Sequence, residues 1–153
     1  MDTTIAHGSF SIERRYNASP AQVYAAWSDI ETKARWFIGP EGWTLLKRTL
    51  EFRVGGQEVL QGRLSNGMET LFTACFHHLT PNERIVYVYD MHLNGKHHSL
   101  SLATVEFTPA ERGTRMLFTE QVAYLDGTDG AQGVAMREHG TAAHLDRLGR
   151  LLS

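Results

Sequence analysis

Five turn signals in the middle of the sequence constrain the fold more than any other feature. Each one separates two segments that are rich in Val, Tyr, Phe and Thr. They lie at Gly55-Gly56, Asn66-Gly67, Pro81-Asn82, Asn94-Gly95 and Arg112-Gly113. Asn-Gly is typical of type I′ hairpins, because both central residues of that turn need a positive φ. Connections this short predict that each strand pairs antiparallel with the next one.

These turns divide the chain into predicted strands near 50–54, 57–64, 68–79, 84–93, 97–108 and 114–122. A further strand is predicted at about 8–16, where Phe10, Ile12 and Tyr16 alternate with polar residues. This period of two is the pattern of a half-buried strand.

Two short helices are predicted after the first strand. Ser19 is a suitable N-cap, and Pro20 suits the first helical position because its missing N–H leaves no bond unmade there. The second helix is expected to carry Ala34 and Phe37 and to end at Gly39-Pro40.

A long helix is predicted over about 130–152. Its inward stripe consists of Val134, Glu138, Thr141, Leu145, Leu148 and Leu152. The stripe is apolar in the C-terminal half and polar at Glu138 and Thr141. This change predicts a helix that packs on the sheet at one end and lines a cavity at the other, although emergence of the polar end into solvent is an alternative.

Composition narrows the class of protein. Apolar residues make up 42% and charged residues 21% of the 153 residues, and the net charge is −2 with neutral histidines. That charge gives no electrostatic case for binding nucleic acid. The single cysteine, Cys75, excludes an internal disulfide. No apolar run approaches the ~20 residues of a membrane span, and the N-terminus has no signal-peptide pattern, so a cytoplasmic protein is expected.

Several stretches of the sequence match a known pattern. They are IERRYNASPAQVYAAWSDIETKARWF, FRVGG, LTPNERIVY, ATVEFTPAERGTRMLFTE and the terminal HLDRLGRLLS. Together they resemble the SRPBCC superfamily, the START-related and birch-pollen-allergen-like helix-grip proteins. The nearest resemblance is to bacterial proteins similar to the C-terminal domain of the activator of the ninety-kilodalton heat-shock-protein ATPase.

The resemblance implies an α+β helix-grip fold over residues 1–153, with a curved antiparallel sheet of about seven strands around the long C-terminal helix. It says little about function, because this fold serves lipid carriers, hormone receptors, cyclases and co-chaperones. The eukaryotic co-chaperone also relies on a separate N-terminal domain, for which this chain has no room. Chaperone activation is therefore not expected.

Strand parity predicts which side chains face the groove between sheet and helix. If Met116 and Phe118 point inward, Glu120 does too, and an inward Leu60 brings Glu58 to the same face. The residues expected to bind a small apolar or amphipathic ligand are Trp36, Phe72, Phe76, Tyr89, Met91, His92, Phe118, Glu120, Glu138 and Thr141. Aromatic and soft apolar side chains of this kind suit a flat or acyl ligand.

Glu58, Glu120 and Glu138 are also the candidates for acid–base catalysis. Carboxylates that converge among apolar walls share a proton, and the pKa of at least one rises. The alternative is that they face solvent or form structural ion pairs with Arg63, Arg115 or Arg137. Both interpretations stay open at this point.

No metal or cofactor is expected. The adjacent pairs His77-His78 and His97-His98 split across the two faces of a strand, and His139 and His144 are five residues apart, not four. No phosphate-binding loop, dinucleotide fingerprint or Ser-His-Asp motif is present.

Three functions are therefore compared. The leading one is binding of a small hydrophobic or amphipathic molecule. The alternatives are a cyclase- or hydrolase-like enzyme that uses the glutamates, and a module that interacts with a chaperone. A possible homodimer is expected from an apolar outer face formed by Leu71, Leu100, Leu102 and Leu117.

Overall fold

The computed structural model describes residues 4–153 as one seven-stranded antiparallel sheet and three helices. The strands are β1 (Ala6–Tyr16), β2 (Thr44–Leu50), β3 (Gln57–Arg63), β4 (Glu69–Thr80), β5 (Arg84–Leu93), β6 (Lys96–Ala110) and β7 (Gly113–Tyr124). The helices are α1 (Pro20–Ser28), α2 (Ile30–Lys33) and α3 (Gly130–Leu152). The strand order is β1-β7-β6-β5-β4-β3-β2, so every hairpin joins neighbours and β1 closes against β7. The predicted helix-grip α+β fold is confirmed.

The first two helices begin at side-chain caps. Ser19 accepts a bond from the backbone of Gln22, and the Gln22 side chain accepts one from the backbone of Ser19, which completes a capping box before Pro20. The second helix is shorter than predicted, because α2 ends at Lys33 with Ala34 as its C-cap. Phe37 therefore lies in the connection to β2.

The strand predicted at 50–54 was misplaced. The strand that pairs with β3 is β2, and residues 51–56 form a bend whose Gly55 has φ +82°. Most side chains of β2 are exposed, since it is an edge strand, so the alternation that marks a half-buried strand is missing from its sequence.

The inner face of the sheet carries the side chains that parity predicted. The row on β7 runs through Met116, Phe118 and Glu120, all buried, and Glu58 on β3 is buried with Leu60. Helix α3 lies against β1 and β7, so it covers one side of this face.

The C-terminal half of α3 anchors the helix on the sheet. Leu145 and Leu148 are fully buried, and the Tyr16 hydroxyl of β1 donates to the Leu145 carbonyl at 2.9 Å. The apolar part of the predicted stripe therefore packs as expected. No helix among the described residues is long and apolar enough to cross a membrane.

Two glycines in the N-terminal half of α3 offer a test of how this part of the helix packs on the sheet. A Cβ at buried Gly133 would lie 2.6 Å from Cζ of Tyr124, whereas a Cβ at exposed Gly140 would meet nothing within 4 Å. We expect Gly133→Ala to lower the free energy of unfolding by about 1–3 kcal/mol through overpacking. Gly140→Ala is expected to raise it by up to about 1 kcal/mol, since alanine is the better helix former. Urea unfolding followed by circular dichroism measures both, and equal effects from the two variants would contradict the packing of α3 on Tyr124.

Candidate ligand-binding site

A buried polar cluster lies on the inner face of the sheet, under α3. We call Tyr89, Ser99, Ser101, Glu120 and Arg137 the Glu120 cluster. Oε2 of Glu120 accepts bonds from the Tyr89 hydroxyl (2.7 Å), the Ser101 hydroxyl (2.8 Å) and Nη1 of Arg137 (3.1 Å). Nη2 of Arg137 donates to the Ser99 hydroxyl at 2.8 Å. The cluster therefore ties three strands to the N-terminal half of α3.

The strand register brings these side chains together. Tyr89 on β5 is the direct partner of Ser101 on β6, and Glu120 on β7 is the partner of Ala103, one inward position along β6. Since inward positions alternate along each strand, all of these residues point to the same side of the sheet. Arg137 reaches them from the second turn of α3, and its guanidinium carbon lies 5.6 Å from the centre of the Tyr89 ring.

Electrostatics keep the Tyr89 hydroxyl protonated and the Arg137 guanidinium charged. Burial, and then the Glu120 carboxylate, raise the pKa of Tyr89 far above its usual range, so its hydroxyl stays a donor. Burial alone would lower the pKa of Arg137, but the Tyr89 oxygen and the Glu120 carboxylate outweigh it and raise the pKa. The guanidinium therefore stays charged.

Two buried oxygen atoms, one in this cluster and one beside it, have no hydrogen-bond partner among residues 4–153. One is Oε1 of Glu120 and the other is the hydroxyl of Tyr124, whose ring centre lies 5.7 Å from the guanidinium carbon of Arg137. Buried polar atoms are nearly always paired in folded proteins. An unpaired carboxylate oxygen in this interior therefore needs an explanation.

Aromatic rings form the apolar wall next to the cluster. The Tyr89 ring lies 4.8 Å from Phe72, which lies 5.0 Å from Phe37, and Phe76 and Tyr87 follow at 6.0 Å from each other. These rings occupy much of the predicted groove. Two concavities of the described residues, of about 250 and 600 Å³, lie elsewhere, by Gln61 and by the outer face of β6.

A second buried ion pair joins Lys33 to Glu58 at 2.6 Å, and the two residues are 3% and 2% exposed. The ammonium group also lies 5.1–5.9 Å from the ring centres of Trp27, Trp36 and Phe37, within the range of cation–π attraction. Lysine in a four-residue helix normally faces solvent, so this pair was not predictable from local sequence pattern.

The convergence of Glu58 and Glu120 on one site stays a prediction, and each carboxylate forms an ion pair of its own. They lie on β3 and β7, and, after burial, both carboxylates help to raise the pKa of Tyr87 on β5, the strand midway between them in the sheet. Each has its own cation, Lys33 for one and Arg137 for the other. Each carboxylate is thus engaged in a buried ion pair.

The other predicted site residues fall into three groups. Trp36, Phe72, Phe76, Tyr89 and Phe118 are buried in the inner core. Met91, Glu138 and Thr141 are half-buried, and Glu138 forms no ion pair among the described residues. His92 lies away from the cluster, since it lines the smaller concavity beside Leu71 and stacks on His97 with ring centres 4.5 Å apart.

Arg137 is the site residue whose role sequence reasoning underrated. It appeared only as a possible ion-pair partner, while Glu138 was placed on the inward stripe. The spacing from Val134 to Thr141 accommodates a residue at either position, because inward residues recur at three or four. The helix turns so that Arg137 reaches the cluster.

The connection between α2 and β2 is clamped at three consecutive carbonyls. Nη1 of Arg147, on α3, donates to the carbonyls of Trp36 at 2.8 Å and Ile38 at 3.2 Å. Nη2 of Arg48, on β2, donates to the carbonyl of Phe37 at 2.9 Å. These bonds hold the Phe37 ring against the inner face, beside Phe72.

His144 supports this clamp in its neutral form. Nδ1 of His144 lies 3.0 Å from Nη1 of Arg147, and because a guanidinium only donates, the imidazole accepts there. Burial, the Arg147 charge and the Lys33 charge lower the pKa of His144 to about 4, against the opposing bond to the Trp36 backbone.

A pH dependence of stability follows from the His144 environment. Between about pH 6.5 and 4 the unfolded chain binds a proton that the folded His144 does not, so the free energy of unfolding falls as pH falls through this range, by up to about 3 kcal/mol. His144→Gln should remove this part of the dependence, whereas His139→Gln, at an exposed position of α3, should keep it. Urea unfolding at pH 7 and pH 4.5 gives the comparison, and identical pH dependence in both variants would contradict this role.

The described residues contain no group of three or more His, Cys, Asp and Glu side chains arranged to hold a metal ion. The polar chemistry at the site is therefore that of one carboxylate, one guanidinium and hydroxyl groups.

Comparison with known proteins identifies the family. The Activator of Hsp90 ATPase homolog 1-like protein family, which is of the SRPBCC type, matches residues 17–153. The chain belongs to this family. No curated protein matches the sequence.

Solved structures of similar proteins support this assignment to the Activator of Hsp90 ATPase homolog 1-like family. An uncharacterized protein from Rhizobium leguminosarum is 38% identical with a TM-score of 0.91, covering 97% of this chain and 96% of that one. A protein from Rhizobium loti is 39% identical with a TM-score of 0.85, covering 96% and 98%. A protein of unknown function from Staphylococcus aureus is 19% identical with a TM-score of 0.80, covering 99% and 96%, and shows the likeness of fold alone.

Proposed function

We propose that this protein binds a small amphipathic molecule between the sheet and α3. The observation that supports this most is the Glu120 cluster itself, a group of charged and hydroxyl side chains set beside a wall of aromatic rings. A polar point within an apolar surface is the usual complement of a ligand with one polar end. The fold of this family commonly binds hydrophobic ligands, which agrees with the proposal.

The arrangement supports a binding protein better than an acid–base enzyme. An acid–base pair needs carboxyl groups that exchange protons with a substrate, and both buried glutamates are held by cations. Aromatic rings line the groove beside the Glu120 cluster, so the bound molecule has to displace or move aromatic side chains to reach the cluster. Phe37 is the ring in the best position to move by side-chain rotation, because it is half-buried whereas Phe72 and Tyr89 are buried, and the clamp holds only its backbone.

The homodimer remains a separate prediction. Leu100 and Leu102 on the outer face of β6 are 41% and 39% exposed, whereas Leu71 and Leu117 are half-buried. Part of the expected apolar outer face is thus open for contact with another molecule.

Uptake of the neutral fluorescent probe N-phenyl-1-naphthylamine tests the proposed function. Phe118 is the inward residue next to Glu120 on β7, and its ring stacks on Phe10 with centres 6.1 Å apart. Phe118→Trp adds volume beside the cluster, so we expect it to weaken probe binding by about tenfold. Leu117→Trp, on the opposite face of the same strand, is the matched control and should leave binding unchanged. Absence of probe binding in the parent protein, or equal binding in both variants, would contradict the proposal.

A further inference from the structure

The two oxygens of the Glu120 carboxylate differ sharply in their surroundings. Oε2 accepts all three hydrogen bonds, from Tyr89, Ser101 and Arg137, within 2.7–3.1 Å. Oε1 accepts none from the part of the chain that the structure describes, and the side chain is 0% exposed. The protein therefore leaves a buried, charged acceptor without a donor at the centre of the proposed site.

The other buried carboxylate described above, that of Glu58, does have a charged hydrogen-bond donor. Glu58 receives the Lys33 ammonium at 2.6 Å. Leaving a charged acceptor unpaired is costly, because the group has lost its water and gained nothing in return. A ligand that brings an N–H or O–H group to Oε1 removes this cost, and such bonds to a charged partner are the stronger kind.

The same arrangement disfavours an anionic ligand. The positive charge of Arg137 is already opposed by Glu120, and its Nη1 and Nη2 atoms donate within the cluster. A ligand carboxylate at this point meets the Oε1 carboxylate oxygen, and like charges at close range repel strongly in a buried site.

We propose that the polar end of the ligand is a hydrogen-bond donor, a hydroxyl or an amine, which binds Oε1 of Glu120, and that carboxylic acids are rejected. This inference rests on the proposed function and specifies the class of ligand for that site. The ligand is an amphipathic alcohol or amine in which an apolar body contacts the aromatic wall around Phe72 and Tyr89.

Three probes with the same apolar body show whether the site prefers a donor, a neutral group without a donor or an anion. They are 2-naphthalenemethanol, its methyl ether, and 2-naphthoate. Their affinities are measured at pH 7.5 by displacement of N-phenyl-1-naphthylamine. We expect the alcohol to bind at least about tenfold more tightly than either of the other two probes. The ether lacks a donor, and the naphthoate adds a negative charge. Equal affinity for all three, or preference for the naphthoate, overturns the inference.

A pair of variants isolates the role of the carboxylate. Glu120→Gln should reduce the preference of alcohol over naphthoate to within about threefold, because the negative charge is gone and the amide supplies a donor. Glu106→Gln removes a charge from the outer face of β6 and should keep the wild-type preference. A preference that persists in Glu120→Gln also overturns the inference, and if that variant fails to fold by circular dichroism, the probe series on the parent protein decides the matter.

The failure of the two proposals is distinguishable. If none of the probes binds the parent protein, the proposed function fails. If they bind without the expected order, the site stands and only the assignment of a donor-bearing ligand is wrong.

Discussion

Lys33→Met is expected to lower the free energy of unfolding by about 3–5 kcal/mol. The substitution leaves the Glu58 carboxylate buried without the ammonium group that pairs with it, and an uncompensated buried charge is among the most destabilising changes in a protein. Methionine keeps much of the volume of the lysine stem, so the loss reflects the charge, including its cation–π attraction for Trp27 and Trp36. Urea unfolding followed by circular dichroism measures the loss.

Two further variants make the Lys33 result specific. The double variant with Lys33→Met and Glu58→Leu removes both charges and should recover most of the lost stability. Arg53→Met breaks the exposed pair with Glu51, whose side chains are 66% and 58% exposed, and should cost less than about 1 kcal/mol. A cost from Lys33→Met as small as that of Arg53→Met would show that the pair is not buried as described.

Arg137→Met is expected to have a similarly large effect, of about 3–5 kcal/mol. It leaves Glu120 fully buried with its two hydroxyl donors but without the guanidinium that pairs with it, and it also removes the bonds from α3 to β5, β6 and β7. The N-terminal half of α3 should then detach first, which hydrogen exchange of its amides detects as reduced protection.

The matched control for Arg137 is the pair between Arg14 on β1 and Asp146 on α3, at 2.8 Å. It joins the same helix to the sheet, but both side chains are partly exposed. Arg14→Met should therefore cost less than about 1 kcal/mol and leave the exchange of the N-terminal half of α3 unchanged. If both arginine variants lower the free energy of unfolding equally, burial is not the reason that the Glu120 cluster stabilises the fold.

The parts of the fold that were predictable are those with strong local patterns. Alternation along β7 placed Phe118 and Glu120 on the inner face, and the capping signal at Ser19 located the start of α1. The edge strand β2 was misplaced, because exposed side chains on both faces leave no period of two in TLLKRTL. Short-range rules thus succeed where one face is buried.

The candidate site was predictable only as a set of faces. Parity says that Glu58 and Glu120 point inward, but it does not say how far apart their strands lie across the sheet. Nor does it show which cation each one meets, since Lys33 and Arg137 come from helices whose rotation depends on tertiary packing. The aromatic filling of the groove by Phe37 likewise depends on the clamp by Arg147 and Arg48, for which the sequence contains no motif.

Native mass spectrometry of the protein purified from cells tests the central claim most directly. We expect a retained molecule of low mass that is released on denaturation and that is an alcohol or amine with an apolar body. Its retention should be reduced in Phe118→Trp but not in Leu117→Trp. A protein that carries no such molecule, and that fails to bind N-phenyl-1-naphthylamine or any of the naphthalene probes, would contradict the account.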